Sequence, residues 1–167
     1  YDVATGKTSA VTTDGAWNKI INGNCDWVYE EEFALTTGFS FSPDGKYIAY
    51  YRFDESKVPS YSMPIYNGLY PSMETFKYPK AGESNSVVTI WIYEISTGKK
   101  VQVDIGTETD IYIPRIKWNH NGTELCVYRM NRLQNNLDFL MANPKNGTTR
   151  LMWKESSDTY VEVPDDL

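Results

Sequence analysis

The sequence predicts an all-β protein: a partial β-propeller of about two antiparallel four-stranded blades, a strand of a preceding blade and a short helical insert. Apolar and polar residues alternate with a period of two over most of the chain, as in half-buried strands. Strand-turn-strand units also recur, because residues 1–7 return as 93–99 and residues 41–45 return as 118–122. Repeats of this kind are typical of propeller blades, each of which leans on its neighbours to bury its faces.

Residues 1–36 are expected to hold the end of a preceding blade, followed by the insert. Residues 1–12 have the pattern of an outermost strand that enters a tight turn at Thr5 and Gly6, where glycine adopts positive φ without steric cost. The first pair of repeats is spaced more widely than the second, and an insert around residues 17–33 accounts for the difference.

The alternation stops at Asp26-Trp27-Val28-Tyr29-Glu30-Glu31-Glu32-Phe33. Asp26 is a good N-cap, since its carboxylate can accept from the free N–H groups of a first helical turn. The three glutamates then fall in or just after that turn, where the helix dipole favours negative charge. The run therefore predicts a short helix. Two interpretations of its adjacent carboxylates stay open: a solvated acidic turn, or a receptor for a cation such as a substrate amine or an arginine.

Two complete blades are expected, over residues 37–105 and 106–167. The strands of the first are predicted at residues 37–41, 47–53, 61–66 and 87–95. Those of the second are predicted at residues 113–118, 124–130, 137–142 and 149–154. Residues 55–85 contain four prolines, which central strands tolerate poorly because proline lacks the donor N–H. We therefore interpret that stretch as long loops around one strand.

The composition excludes several classes of protein. The 167 residues carry a net charge of −6, which argues against a nucleic-acid partner. No apolar run approaches the length of a membrane span. The two cysteines match no metal pattern, so both are expected unpaired, with Cys126 buried in a strand. We expect no metal site and no cofactor.

The insert and four later segments carry a family resemblance. Residues 26–32 resemble the double-glutamate motif of the dipeptidyl peptidase IV family, the prolyl-oligopeptidase-like serine peptidases. Residues 41–50, 53–59, 78–85 and 112–118 look like further segments of the same family. The resemblance spans nearly the whole chain and implies a fragment of the N-terminal β-propeller. It also implies that the parent protein is periplasmic, secreted or membrane-anchored outside the cell.

The resemblance implies a role in substrate recognition. In the family a pair of glutamates binds the free α-amine of a peptide, and the matching residues here are Glu31 and Glu32. Asp26, Trp27, Tyr29 and Glu30 would support the motif, with Glu30 facing away from the amine. The parent would release N-terminal Xaa-Pro or Xaa-Ala dipeptides from peptide substrates with a free N-terminus.

Catalytic machinery is not expected in this chain. A serine peptidase of this family uses a Gly-x-Ser-x-Gly elbow, and no such pattern occurs. The one histidine, His120, falls in a turn sequence and is interpreted as a solvated turn residue. No catalytic residue is assigned, and the triad would lie on an α/β-hydrolase domain beyond this chain. An alternative function is a non-catalytic propeller module that binds a protein or a glycan.

An incomplete ring predicts self-association. Two blades and a strand cannot close a propeller, which typically needs at least about four blades. The outer faces of the terminal blades would then be bare, and exposed apolar patches tend to find a partner. In the parent protein, the partners of this chain would be the remaining blades and the α/β-hydrolase domain. For the fragment alone we expect a homo-oligomer or a strand-swapped dimer.

Overall fold

Two five-stranded antiparallel sheets stand side by side in the computed structural model, which describes residues 1–163. One short helix and a separate two-stranded hairpin complete the fold, so the prediction of a partial propeller with a helical insert is confirmed. The elements in chain order are β1 Ile20–Asn22, α1 Trp27–Phe33, β2 Phe39–Phe41, β3 Tyr47–Asp54, β4 Ser60–Ile65, β5 Ser72–Lys77, β6 Val87–Glu94, β7 Lys100–Gln102, β8 Ile111–Tyr112, β9 Ile116–Trp118, β10 Leu125–Asn131, β11 Asn136–Ala142 and β12 Thr149–Ser156.

The first blade is organised around β3, which pairs with β6 along its whole length. The outer strand β7 pairs with β6, and both β1 and β2 pair with β3 on its other side. The strand predictions at residues 37–41, 47–53 and 87–95 are therefore confirmed to within about two residues. Segment 1–36 contributes β1 to this sheet.

The prediction of a blade strand at residues 61–66 is wrong. These residues form β4, which pairs only with β5 in a two-stranded arm outside both blades. Pro64 shows why: it pairs with Met73 on a solvent-exposed ribbon, where a missing N–H is tolerated, rather than in the middle of a packed sheet. The outer position of the blade belongs to β7 instead.

The prediction of a strand at residues 1–12 is also wrong. A turn occupies residues 1–7, with one isolated bridge between Asp2 and Lys7. The Asp2 carboxylate accepts hydrogen bonds from the N–H groups of Ala4 and Thr5, which fixes the chain in a turn. Among the described residues no strand pairs with residues 8–12, and without a pairing partner an isolated extended segment is not a strand.

The second blade follows its prediction more closely. β10, β11 and β12 correspond to the predicted strands at residues 124–130, 137–142 and 149–154. The predicted strand at residues 113–118 is present only in its second half, as β9, whereas β8 lies just before the predicted range; both strands pair with β10. Cys126 lies on β10 but is half-buried rather than buried as predicted, and both cysteines are unpaired as predicted.

The repeats seen in the sequence are repeats of turn geometry. In the first turn the Ser42 N–H donates to the Tyr47 carbonyl at 2.9 Å, and in its counterpart the Asn119 N–H donates to the Glu124 carbonyl at 3.0 Å. His120 lies exposed in the second of these turns. The turn at residues 1–7 likewise returns at residues 94–99, where Gly6 and Gly98 both have positive φ.

Both blades have a first strand that is interrupted in the middle. In the first blade, the Gly23 N–H donates to the Tyr51 carbonyl at 3.0 Å, and the Tyr51 N–H donates to the Gly38 carbonyl at 2.8 Å. Residues 24–37 therefore leave the sheet and return to it at one residue of β3. In the second blade the Tyr128 N–H donates to the Arg115 carbonyl at 3.1 Å, and the interruption is only a few residues long.

The core lies between the two blades. It joins the inward-facing side chains of β3 and β6 to those of β10 and β11, with Ala49, Phe53, Ile90, Leu125 and Val127 fully buried. At one end of the interface Tyr47 stacks on Trp118 with ring centroids 6.0 Å apart, and the Trp118 indole donates to the Ser40 carbonyl. Within residues 1–163, no helix is long and apolar enough to cross a membrane.

Candidate substrate-binding site

Helix α1 begins as the sequence predicts. Asp26 has extended backbone angles and its Oδ1 accepts from the Tyr29 N–H at 3.0 Å, so the N-cap prediction is confirmed. The other carboxylate oxygen accepts a hydrogen bond from the Ser86 hydroxyl, which lies just before β6. Asp26 is only 6% exposed, so the start of the helix is fixed inside the protein and attached to the first blade.

Burial changes the acidity of the groups at the start of the helix. Removal from water raises the pKa of Asp26, while the hydrogen bonds from Ser86 and the Tyr29 N–H oppose that shift. Burial, with a smaller contribution from the Asp26 charge, also raises the pKa of Cys25 to about 12. A thiol of that kind is protonated and unreactive at neutral pH.

The buried face of α1 consists of Tyr29 and Phe33, spaced four residues apart and therefore on one side of the helix. Their rings meet edge to face at 5.3 Å between centroids. Tyr29 also packs edge-on against Phe53 of the first blade at 4.7 Å, and Phe33 against Tyr112 of the second at 5.1 Å. The helix thus sits over the junction of the two blades.

Two hydrogen bonds fasten the helix into the interruption of the second blade. The Tyr29 hydroxyl oxygen accepts from the Ile113 N–H at 2.8 Å, supplying a partner for a buried amide between β8 and β9. Arg115 donates from Nη1 to the Phe33 carbonyl at 2.8 Å, where the helix ends and cations are favoured. Ala34 then turns the chain out of the helix with φ of 50°.

The opposite face of α1 carries the acidic residues. Glu30, Glu31 and Glu32 are all exposed. Oε1 of Glu32 accepts a hydrogen bond of 2.6 Å from Nε2 of Gln134, in the turn between β10 and β11. Trp27, at the other end of the helix, is 38% exposed and packs edge-on against Tyr78 at 4.3 Å.

A cleft of about 330 Å³ opens beside the last turn of α1. The described residues that line it are Glu31, Glu32, Phe33, Ala34, Arg115, Gln134, Tyr160, Val161, Glu162 and Val163. The predicted pair, Glu31 and Glu32, therefore shares one cleft, whereas Glu30 lies outside its lining. Asp26 and Tyr29 lie on the buried side of the helix and attach it to the two blades. Arg115 and Gln134 were not singled out from the sequence, because no local pattern marks a residue that reaches the helix from another blade.

Comparison with known proteins places this arrangement in a family. A sequence profile described as "Dipeptidyl peptidase IV (DPP IV) N-terminal region" matches residues 1–167. The chain belongs to the dipeptidyl peptidase IV family. The crystal structure of Porphyromonas gingivalis dipeptidyl peptidase 4 resembles this family member with a TM-score of 0.85 and 44% sequence identity, over 90% of this chain and 22% of that one.

Curated relatives support the same family membership. The chain is 36% identical over 139 residues to the probable dipeptidyl peptidase 4 of Trichophyton verrucosum, covering 77% of this chain and 18% of the relative. It is 32% identical over 166 residues to the probable dipeptidyl-aminopeptidase B of Phaeosphaeria nodorum, covering 90% and 18%. The chain thus spans less than a fifth of the length of these relatives, and it corresponds to part of their N-terminal region.

Proposed function

We propose that this chain is the substrate-recognition part of a serine exopeptidase that releases Xaa-Pro or Xaa-Ala dipeptides from peptide N-termini. Glu31 and Glu32 bind the α-amine of the peptide. The observation that supports this assignment is the placement of both carboxylates on one cleft by a helix whose other face is buried. We place the full-length protein outside the cytoplasm, as periplasmic, secreted or membrane-anchored, which fractionation of the producing cells tests.

The chemistry of an α-amine fits two neighbouring carboxylates. A protonated amine offers three N–H donors, and charge-assisted hydrogen bonds to carboxylates are stronger than neutral ones. A blocked or internal amide nitrogen carries no charge and has at most one donor, so the pair selects a free N-terminus. With the amine fixed, the distance to a nucleophile on another domain limits cleavage to the second peptide bond.

Recognition of this kind needs a rigid support, which the contacts between α1 and the two blades provide. The N-cap on Asp26, the Tyr29 hydrogen bond to Ile113 and the Arg115 hydrogen bond to Phe33 hold α1 at its start, middle and end. A fixed helix keeps the two glutamates side by side before the amine binds, so that no backbone ordering is needed on binding, and this favours affinity.

The test is a pair of substitutions in the full-length protein. Glu31→Gln and Glu32→Gln are each expected to lower kcat/KM for a Gly-Pro chromogenic amide by tenfold or more, because a charge-assisted contact to a desolvated cation contributes roughly 1.5–3 kcal/mol. Glu30→Gln is the matched control, being exposed on the same helix but outside the cleft, and should stay within about twofold of the parent. If both Glu31 and Glu32 variants keep the parental kcat/KM, the acidic turn is merely solvated.

The isolated chain, which lacks the elbow motif, is expected to show no turnover.

The faces of the terminal blades support a second part of the proposal. Leu151, Met152 and Trp153 of β12 are exposed, as are Phe39 and Phe41 of β2. In the full-length protein these side chains pack against the remaining blades. The isolated chain should therefore form a homo-oligomer or strand-swapped dimer. Light scattering behind a sizing column measures its mass, and a monomer mass over a wide concentration range would contradict the expectation.

A further inference from the structure

The turn that joins β10 to β11 adopts an unusual backbone conformation at Gln134. Its φ is 55°, in the left-handed region that favours glycine and, among other residues, asparagine. Asn135 follows directly, so the chain places the left-handed conformation on a long side chain rather than on a neighbour that adopts it more easily. Such residues persist only where surrounding contacts determine the conformation, and they concentrate at functional sites.

The contacts that hold this turn are numerous. The side chain of Asn131 accepts from the N–H groups of Asn135 and Asn136 at 3.1 and 2.9 Å. The backbone of Gln134 is held on both sides, since its N–H donates to the Asn131 carbonyl at 2.9 Å and its carbonyl accepts from the Val161 N–H at 2.8 Å. These contacts fix the backbone of Gln134, and with it the point from which the side chain leaves the turn.

The result of this conformation is one long-range contact. Nε2 of Gln134 donates to Oε1 of Glu32 at 2.6 Å, which joins the second blade to the acidic face of α1. A glutamate side chain has three rotatable bonds, and an exposed one samples many rotamers. The hydrogen bond restricts Glu32 to one orientation and leaves its second oxygen for a ligand in the cleft.

The neutrality of the donor matters. A lysine or arginine in the same place would neutralise Glu32 and compete with a ligand ammonium for the carboxylate. An amide positions the carboxylate and keeps its negative charge. Arg115, which also lines the cleft, donates from Nη1 to the carbonyls of Phe33 and Pro114.

We infer that Gln134 is a positioning residue of the amine site, which holds Glu32 in the orientation that receives the α-amine. This role rests on the proposed function of Glu32. It predicts that the left-handed conformation of Gln134 is maintained for binding at the expense of stability, because glycine would adopt the same φ without strain.

The decisive variant in the full-length protein is Gln134→Gly, which removes the amide and relieves the backbone. We expect its urea midpoint to equal or exceed that of the parent. We expect KM for a Gly-Pro chromogenic amide to rise about three- to tenfold with kcat within about twofold, because the amine contact is made equally in the ground state and the transition state. Leu133→Gly is the matched control: Leu133 is 76% exposed in the same turn, and its KM should be parental.

A second variant, Gln134→Glu, tests whether residue 134 lies against the carboxylate that binds the amine. It replaces the donor with a carboxylate beside Glu32, and two carboxylates in contact share a proton, which raises the pKa of one of them. Among the described residues, the other charged or titratable groups lining the cleft are Glu31, Arg115, Tyr160 and Glu162. In a plot of kcat/KM against pH, the acidic limb of Gln134→Glu should therefore lie at higher pH than that of the parent. The acidic limb of Gln134→Gly should coincide with that of the parent.

The outcomes separate this inference from the proposed function. If Glu32→Gln lowers kcat/KM but Gln134→Gly retains the parental KM, Gln134 has no positioning role. If Gln134→Gly raises KM only in step with a loss of stability, the turn is structural and the inference is also wrong. If Glu32→Gln itself has no effect, the amine site is wrong and the role of Gln134 falls with it.

Discussion

Replacing Tyr29 with Ala is expected to lower the free energy of unfolding by about 3–5 kcal/mol, the usual cost of deleting a large aromatic side chain from a core. Tyr29 is 2% exposed and contacts rings from the helix and from both blades. Its removal also leaves the buried Ile113 N–H without the hydroxyl acceptor that it has at 2.8 Å. The loss combines a cavity with an unsatisfied donor, and it falls where α1 is attached.

The matched variant is Tyr29→Phe, which keeps the ring and removes only the acceptor. Urea unfolding of this variant should show that the free energy of unfolding falls by about 1–3 kcal/mol, the cost of leaving one buried polar group unpaired.

In the full-length protein, Tyr29→Ala should also raise KM for dipeptidyl substrates, because α1 and its glutamates lose their support. A Tyr29→Ala protein with parental stability and parental KM would show that the helix is held by other contacts.

The helix and the turns could be predicted because their signals are local. Asp26 precedes the run, and its capping bond reaches only three residues ahead to the Tyr29 N–H. The turns at residues 42–47 and 119–124 share a hydrogen-bond pattern because each places glycine at the position with positive φ. Local geometry of this kind depends on neighbouring residues alone, so one sequence suffices to predict it.

The arm and the interrupted strands could not be predicted, because their signals are not local. β4 has the apolar and aromatic content of a blade strand, and only its position outside the sheets distinguishes it. β1 is three residues long and is identified as a strand by its pairing with β3, which lies some thirty residues further along. Periodicity describes which face of a strand is buried but says nothing about its partner.

The candidate site also contains one part that has a local sequence signal and one part that has none. The position of Glu31 and Glu32 on an exposed helical face follows from the sequence. Gln134 lies 102 residues from Glu32 along the chain, and glutamine is a poor predictor of left-handed φ. Its contact depends on the angle at which two blades meet, which no pattern within either blade specifies.

Gly38→Val is expected to lower the free energy of unfolding by about 3 kcal/mol, at the upper end of ordinary overpacking costs. Residues 24–37 leave β3 beside Gly23 and return at Gly38, so the two ends of the insert cross closely. A Cβ on Gly38 would lie 2.5 Å from the carbonyl oxygen of Asn24 and 2.8 Å from its nitrogen. Both contacts are with backbone, which cannot rotate away as a flexible side chain would.

A side chain at position 38 can be accommodated in two ways, and each of them destabilises the insert. Either Asn24 moves and the base of α1 shifts, or Gly38 moves and loses the hydrogen bond that its carbonyl accepts from Tyr51. Gly68→Val is the matched control, since a Cβ there meets no atom within 4 Å and it should unfold within about 0.5 kcal/mol of the parent. Equal urea midpoints for the Gly38→Val and Gly68→Val chains would contradict the close crossing. A lowered midpoint only for Gly38→Val would show that the insert carrying the glutamates is held at its base by the absence of a side chain.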